Sequence, residues 1–344
     1  MIRGHGDDRQ YYNKTICADF SSNVWFGGTD PKLMEHLRKN MPLIERYPEP
    51  DAADLCRKTS EFHHVESDQV LAFNGSVEAF YTIALAFREM DSAICYPAFS
   101  EYEDACRMHD HRLYHFRKDE WEQSMKTNPA LCWIGNPNNP DGYIYGFQQI
   151  KDRLEAYPDT VFVVDEAYAD LVTGFQSAIP LTRTFSNLIV VRSFTKCSAI
   201  PGLRLGYVVA SHPLAAKLKC FQQPWSVNAL AQEAGKFLLD HPKHPRDKVK
   251  IRELSSALQQ AIAQTGDFRV VPSEAPFFLV ELQSGTAAGL KEFLIEEHGI
   301  LIRDATNFRG LNQKYFRVST LSADENQLLL AALADWKTKS NRNL

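Results

Sequence analysis

Short, uninterrupted apolar runs alternate with amphipathic stretches between about residues 68 and 210. Runs at 69–73, 92–96, 130–134, 161–164, 188–192 and 205–210 are too short for buried helices and read as strands. The stretches 77–88, 101–109 and 147–157 space their apolar positions as helices do. Strands that are apolar throughout must be covered on both faces, so the alternation predicts an α/β fold built on a largely parallel sheet. Beyond residue 242 the pattern changes. A long polar helix over 246–264 precedes a strand at 277–282, a helix at 289–297, strand-like runs at 299–303 and 315–319, and a closing helix over 324–337 that Ser322 is placed to cap. This predicts a smaller α+β domain. The expected division is an N-terminal segment 1–43 that joins the small domain or a partner subunit, a large domain 44–241 and a small domain 242–344.

At 344 residues the chain has material for a sizeable core without metals or disulfides. Its 44% hydrophobic and 24% charged residues are ordinary for a water-soluble protein. The net charge of -5 gives no reason to expect nucleic acid or an anionic membrane as partner. The first ten residues lack an apolar stretch, so no secretory signal is expected, and no apolar run approaches membrane-spanning length. Seven scattered cysteines without a CxxC pair read as reduced thiols, which predicts a cytoplasmic protein.

Five segments carry candidate chemistry. Phe73-Asn74-Gly75-Ser76-Val77-Glu78 joins a strand to a helix, where free N–H groups suit an anion such as a cofactor phosphate. By itself it is equally a plain turn capped by Ser76. Tyr96-Pro97-Ala98-Phe99-Ser100-Glu101-Tyr102 offers aromatics for stacking on a flat ring, or for the core. The doubled Asn-Pro of Gly135-Asn136-Pro137-Asn138-Asn139-Pro140-Asp141-Gly142 fixes a rigid turn whose amides can donate to a phenolate-like oxygen. Four apolar residues then run into Asp165-Glu166-Ala167-Tyr168. A buried carboxylate there is costly without a cationic partner, and a protonated pyridinium is such a partner. A strand-end Asp-Glu also occurs in P-loop enzymes, but GxxxxGK[ST] is absent from the chain. Last, Lys196 lies among Ser193, Thr195 and Arg204, just past a strand. A lysine is nucleophilic only when neutral, a form favoured by desolvation and a nearby cation, while the hydroxyls and the arginine together suit a phosphate dianion.

The ordered set Asn-Pro-x-Asn-Pro-x-Gly, Asp-Glu-Ala-Tyr, Ser-x-x-Lys and Gly-Leu-Arg-Leu-Gly-Tyr resembles fold-type-I pyridoxal-5'-phosphate (PLP) enzymes of the class I/II aminotransferase group. The resemblance implies a PLP-dependent transferase-like fold with a mainly parallel, seven-stranded sheet. It implies that Lys196 binds the cofactor covalently and shuttles protons, that Asp165 pairs with the ring nitrogen, and that Asn139 and Tyr168 contact the ring hydroxyl. It places Tyr102 on the ring face and Gly75, Ser76, Ser193 and Arg204 on the phosphate. Tyr47 is similar to a tyrosine that enters the neighbouring subunit's site, which implies a homodimer.

Within the group, Glu45-Arg46-Tyr47-Pro48, Ala199-Ile200-Pro201-Gly202, Pro224-Trp225-Ser226-Val227-Asn228 and Ile300-Leu301-Ile302-Arg303 are most similar to threonine-phosphate decarboxylases of cobalamin synthesis, and next to histidinol-phosphate aminotransferases. Either implies a small amino-acid phosphate as substrate. Arg317 is suited to clamp a carboxylate by a bidentate pair. Arg303 (for the carboxylate or the phosphate), Asn23 and His5 are the further substrate candidates, with a surface ion pair or a turn as the competing roles of Arg303 and Asn23. Three positions depart from the family pattern: Asp7 for Gly, Val77 for Thr and Asp141 for Thr. Asp7 would bring negative charge toward a substrate phosphate, and Val77 removes a hydroxyl from the cofactor phosphate cup. A nicotinamide dehydrogenase would need GxGxxG after a strand, and none occurs.

Overall fold

The computed structural model describes residues 6–242 and 245–340. In chain order the strands are β1 (Ala18–Asp19), β2 (Val70–Phe73), β3 (Asp91–Cys95), β4 (Arg112–Phe116), β5 (Leu131–Gly135), β6 (Val161–Asp165), β7 (Leu188–Ser193), β8 (Gly206–Ala210), β9 (Phe268–Val270), β10 (Phe277–Leu282), β11 (Ile300–Leu301), β12 (Arg303–Asp304) and β13 (Tyr315–Ser319). The α-helices are α1 (Pro31–Lys39), α2 (Ala53–His63), α3 (Gly75–Ala86), α4 (Ser100–Met108), α5 (Trp121–Met125), α6 (Phe147–Ala156), α7 (His212–Lys219), α8 (Ala229–Asp240), α9 (Pro245–Gln264), α10 (Ala287–His298) and α11 (Ala323–Ser340). None of the described helices is long and apolar enough to cross a membrane.

Seven strands form the main sheet in the order β2-β8-β7-β6-β5-β3-β4. All run parallel except β8, which is antiparallel to both neighbours, β2 and β7. Side chains alternate across each strand, and both faces are apolar. Cys132, Ile134, Phe162, Val164 and Val190 pack under α2, α5, α6 and α8, whereas Trp133, Val163, Ile189, Val191 and Val208 pack under α3, α4 and α7. A fully buried side chain of this size contributes roughly 1.5–3 kcal/mol. The two-sided core therefore holds the strand ends firmly. The edge strand β4 has no counterpart in the sequence reading: only Phe116 of it is buried, so it lacks the continuous apolar run that marks the inner strands.

The second body is a four-stranded antiparallel sheet, β12-β13-β10-β9, packed against α9, α10 and α11. The run read as one strand at 299–303 divides here. β11 pairs in parallel with β1, while β12 pairs with β13, so its two halves serve two sheets. The N-terminal segment also divides. β1 and Phe20 enter the core of this second body, but α1 lays Leu33 and Leu37 against Ala234 of α8. Ser322 accepts from the Glu325 N–H at 3.3 Å and Glu325 reaches back to the Ser322 N–H at 3.2 Å, a reciprocal cap at the start of α11.

Parallel order delivers the C-terminal ends of β2, β3, β5, β6 and β7 to one edge, and register places Gly135 beside Asp165 and Asp165 beside Val191. The segments after those ends are the five flagged in the sequence. A crevice at the carboxyl ends of such strands is where open α/β sheets bind ligands.

Candidate active site

Asp165 closes β6 with only 7% of its surface exposed. Its Oδ2 accepts from the Tyr102 hydroxyl at 2.5 Å and its Oδ1 from the Ala167 N–H at 3.0 Å. Burial pushes its carboxyl up to about 6, against the opposing pull of these donors and of the nearby Lys196 charge. Lys196 lies three residues past β7, in the connection that reverses direction into β8. Its Nζ stands 6.0 Å from the centre of the Tyr168 ring. Lys196, Asp165 and Tyr168 line one cavity of about 170 Å³.

One end of the cavity is built for an anion. Ser76 and Val77 open α3, and Thr195 and Arg204 face them. Gly75 has φ +82°, and a Cβ there would lie 2.6 Å from an Arg204 guanidinium nitrogen, so only glycine lets the arginine approach. Arg204 itself sits in the left-handed region (φ 54°, ψ 74°) and donates to the Pro201 carbonyl at 2.9 Å. Ser193, expected on the phosphate, stands behind this end. Its hydroxyl meets the Thr195 hydroxyl at 2.8 Å, and Thr195 is the one that lines the cavity. Ser193 is the last residue of a central strand and Thr195 lies beyond it, which sets the order of the two.

Two buried arginines also line the cavity. Arg317 donates to Asn139 Oδ1 at 2.5 Å and to the Ser21 carbonyl at 2.6 Å, while its Nε is buried without a partner. Arg303 donates to the Asp304 carbonyl and, at 2.7 Å, to Asn307 Oδ1. Burial lowers both guanidinium groups to about 10, and the Arg317 charge adds to the effect on Arg303, yet both remain cationic at neutral pH. All four of those hydrogen bonds go to neutral oxygens. Because Arg317 can only donate, Asn139 must present its oxygen to it, which leaves the Asn139 amide nitrogen as the donor. Asn23 accepts from the Ser319 hydroxyl, and its Nδ2 is buried without a partner. Asn23, Asn139, Arg303 and Arg317 all line the same cavity. Unpaired donors beside two desolvated cations suit an anionic ligand.

Tyr102 is not placed to stack on a bound ring. It is 1% exposed, lies against Trp133 with ring centres 5.6 Å apart, and serves Asp165 from behind. Of the aromatics in the 96–102 segment it is Phe99, the residue that precedes α4, that lines the cavity. Tyr102, Ala105 and Cys106 form the buried face of α4, whereas Phe99, one residue before the helix, lies in the segment that leads from the end of β3 to α4. Phe308, Ser21 and Ser100 also line the cavity and carried no individual signal. Tyr47 is 88% exposed, packs against Trp225 with ring centres 5.7 Å apart, and lines no part of this cavity. His5 lies outside the described residues. Glu166, the second acid of the strand-end pair, is taken up by Arg192 at 2.9 Å, Ser177 at 2.6 Å and the Ala178 N–H at 2.7 Å, a structural role rather than a metal site.

A family model described as aminotransferase class I and II matches residues 15–333. The chain belongs to that family. It is 33% identical over 332 residues to the threonine-phosphate decarboxylase of Salmonella typhimurium, covering 92% of this chain and 90% of that protein. It is 26% identical to a histidinol-phosphate aminotransferase of Ruminiclostridium cellulolyticum, covering 88% and 86%. Among solved structures, L-threonine-O-3-phosphate decarboxylase from Porphyromonas gingivalis superposes with a TM-score of 0.90 at 39% identity, covering 93% of this chain and 99% of that one. The fold is thus the fold-type-I aminotransferase fold that the motifs imply.

The three departures from the family pattern now have physical settings. Asp7 takes the left-handed φ of 60° that a glycine would favour, and its carboxylate pairs with Arg9 at 2.8 Å. Asp7 is not among the residues lining the cavity, so its charge is met outside it. Asp141 accepts from Asn138 Nδ2 at 2.7 Å and the Tyr143 N–H at 3.1 Å, holding the Asn-Pro turn. Val77 lines the cavity and adds no donor of its own beyond its backbone.

Proposed function

We propose that this chain holds pyridoxal-5'-phosphate and decarboxylates L-threonine O-3-phosphate to an aminopropanol phosphate, a reaction of cobalamin synthesis. The observation that carries the reading is the meeting of Lys196 and buried Asp165 in one cavity that is also lined by an anion cup and by two desolvated arginines. The cup of Gly75, Ser76, Thr195 and Arg204 fits the cofactor phosphate. A carboxylate that burial pushes up to about 6 fits a cationic ring nitrogen, which supplies the charge partner that the chain itself withholds. The 33% and 39% identities to threonine-phosphate decarboxylases favour decarboxylation over the amino transfer performed by the histidinol-phosphate relatives.

When bound, the pyridinium ring takes up the electron pair released at the substrate Cα. Asp165 keeps the ring nitrogen protonated, and Tyr102 and the Ala167 N–H hold Asp165 in place. Lys196 would hold the cofactor covalently through its Nζ. The same amine lines the cavity and would be the group that returns a proton to the substrate carbon from which CO₂ departs. Asn139 and Tyr168 would hold the ring hydroxyl, and Phe99 would cover the ring face. Arg317, Arg303 and Asn23 would bind the two anionic groups of the substrate and so orient it for cleavage of one Cα bond rather than another. The same residues serve Cα–H cleavage in an aminotransferase, so the choice lies in substrate orientation.

A second copy of the chain completes the site in this reading. Ile44 is 62% and Tyr47 88% exposed, and Trp225, against which Tyr47 packs, is itself 51% exposed, so a homodimer that passes Tyr47 into the partner's cavity would cover this apolar patch. The deciding experiment incubates the yellow, cofactor-loaded protein with L-threonine O-3-phosphate and measures CO₂ release. Amino transfer from histidinol phosphate to 2-oxoglutarate, without CO₂ release, would replace this reading by the aminotransferase one.

A further inference from the structure

The loop that follows β12 carries Phe308 to the cavity, sets Asn307 against the Arg303 guanidinium outside it, and then crosses to the main sheet. Arg303 donates to Asn307, and its guanidinium carbon lies 5.0 Å from the centre of the Phe308 ring. The next two residues make the crossing. Gly310 has φ +81°, and a Cβ there would lie 2.6 Å from the Tyr96 ring, so the backbone is pressed against the strand-end segment that also bears Phe99. Arg309 donates through Nη2 to both oxygens of Glu103 on α4, at 2.9 and 3.2 Å, and through Nε at 3.3 Å. Glu103 is the meeting point of three elements. It also accepts from Arg107 at 2.6 and 2.9 Å and from His115 Nε2 on β4 at 2.9 Å. Burial disfavours its charge, but the hydrogen bonds from Arg309 and Arg107 overcome this and hold the carboxyl down at about 2. Burial keeps His115 low as well, so near neutral pH it serves as a neutral N–H donor. Exposed ion pairs contribute little, but this acid is three-quarters covered and engaged by a forked guanidinium.

We propose that Glu103 is a positioning residue for the substrate's anionic group: by clamping Arg309 it fixes the 305–311 loop, and through Asn307 and Phe308 it aims the Arg303 guanidinium into the active-site cavity. The inference rests on the reading that Arg303 faces a substrate anion. Loss of the Glu103 charge leaves Arg309 and Arg107 opposed, releases the loop and lets Arg303 swing among positions, while Lys196, Asp165 and the cofactor cup are untouched.

The test uses the PLP-loaded protein and inorganic phosphate, titrated by calorimetry. Glu103→Gln and Arg309→Gln each weaken phosphate binding about fivefold, and the double variant weakens it no further, because both remove one clamp. The KM for L-threonine O-3-phosphate rises by the same factor, with kcat within about twofold and the cofactor's visible absorbance unchanged. Multiplied losses in the double variant, unchanged phosphate affinity in both single variants, or no phosphate binding by the parent protein would each overturn the clamp. So would altered cofactor absorbance in Arg309→Gln, a change on the outer surface that a merely structural role would transmit to the whole site. Phosphate binding is read without turnover. If the clamp holds but threonine phosphate is not decarboxylated, the proposed function fails and this inference stands.

Discussion

Asp165→Asn separates what the acid does for function from what it costs the fold. In the cofactor-free protein the carboxyl sits at about 6, above its ordinary 3.8, because burial penalises the charged form. A raised acid destabilises the fold once it ionises. The penalty is absent well below pH 4, grows between pH 4 and 6, and is complete above pH 6. The displacement from 3.8 to about 6 corresponds to a cost of about 3 kcal/mol at neutral pH. Asparagine keeps the shape and the acceptor for the Ala167 N–H, and its amide can donate to the Tyr102 oxygen in place of the present bond. Charge is therefore the main thing removed. Cofactor-free Asp165→Asn should melt about 5 °C above the cofactor-free parent at pH 8, with the difference nearly gone at pH 4. With cofactor bound the order reverses: the variant binds PLP more weakly and loses turnover by orders of magnitude. Differential scanning fluorimetry across pH, with and without cofactor, reads all of this. A cofactor-free variant no more stable than the parent at pH 8, or a gain of equal size at pH 4 and pH 8, would refute the argument that the acid is held unpaired for a cationic partner.

The other expectations concern single contacts. Lys196→Ala should abolish activity and remove the near-visible absorbance of the covalently held cofactor, and retained absorbance would move the attachment elsewhere. Gly75→Ala should force Arg204 away by its Cβ and weaken cofactor binding at least tenfold by equilibrium dialysis, with little change in far-UV circular dichroism. Tyr102→Phe removes a donor that holds the Asp165 carboxyl down, so the carboxyl should rise further and the variant should lose about 1–3 kcal/mol by urea denaturation at pH 8, and less at pH 4. Phe99→Ala should reduce cofactor affinity without that stability loss, which would exchange with Tyr102→Phe if Tyr102 were the stacking ring.

The inner strands were legible because β5, β6 and β7 are each apolar over their first four positions, and such runs leave no alternative to burial on both faces. Asp165 was legible for the converse reason: an acid at the end of such a run needs a physical excuse. Edge strand β4 and the divided run at 299–303 were not, since half-exposed or shared strands have no periodicity of their own. The same holds for Ser193 and Thr195, two hydroxyl residues two positions apart. Composition makes them alike, and only the direction of the chain leaving β7 puts Thr195 on the cavity.

Sequence alone determined the fold class, the order of the chemistry-bearing segments and the choice of one lysine and one acid as candidates, which the structure brings to the lining of one cavity, because these follow from local patterns and from residue types with few other uses. Tertiary structure decided which aromatic faces the cavity, that Asp7 is neutralised by Arg9 outside it, and that Glu103 and Arg309, 206 positions apart, meet. Each of those depends on how helices and loops from distant parts of the chain are laid on the sheet, and no local preference encodes such a meeting.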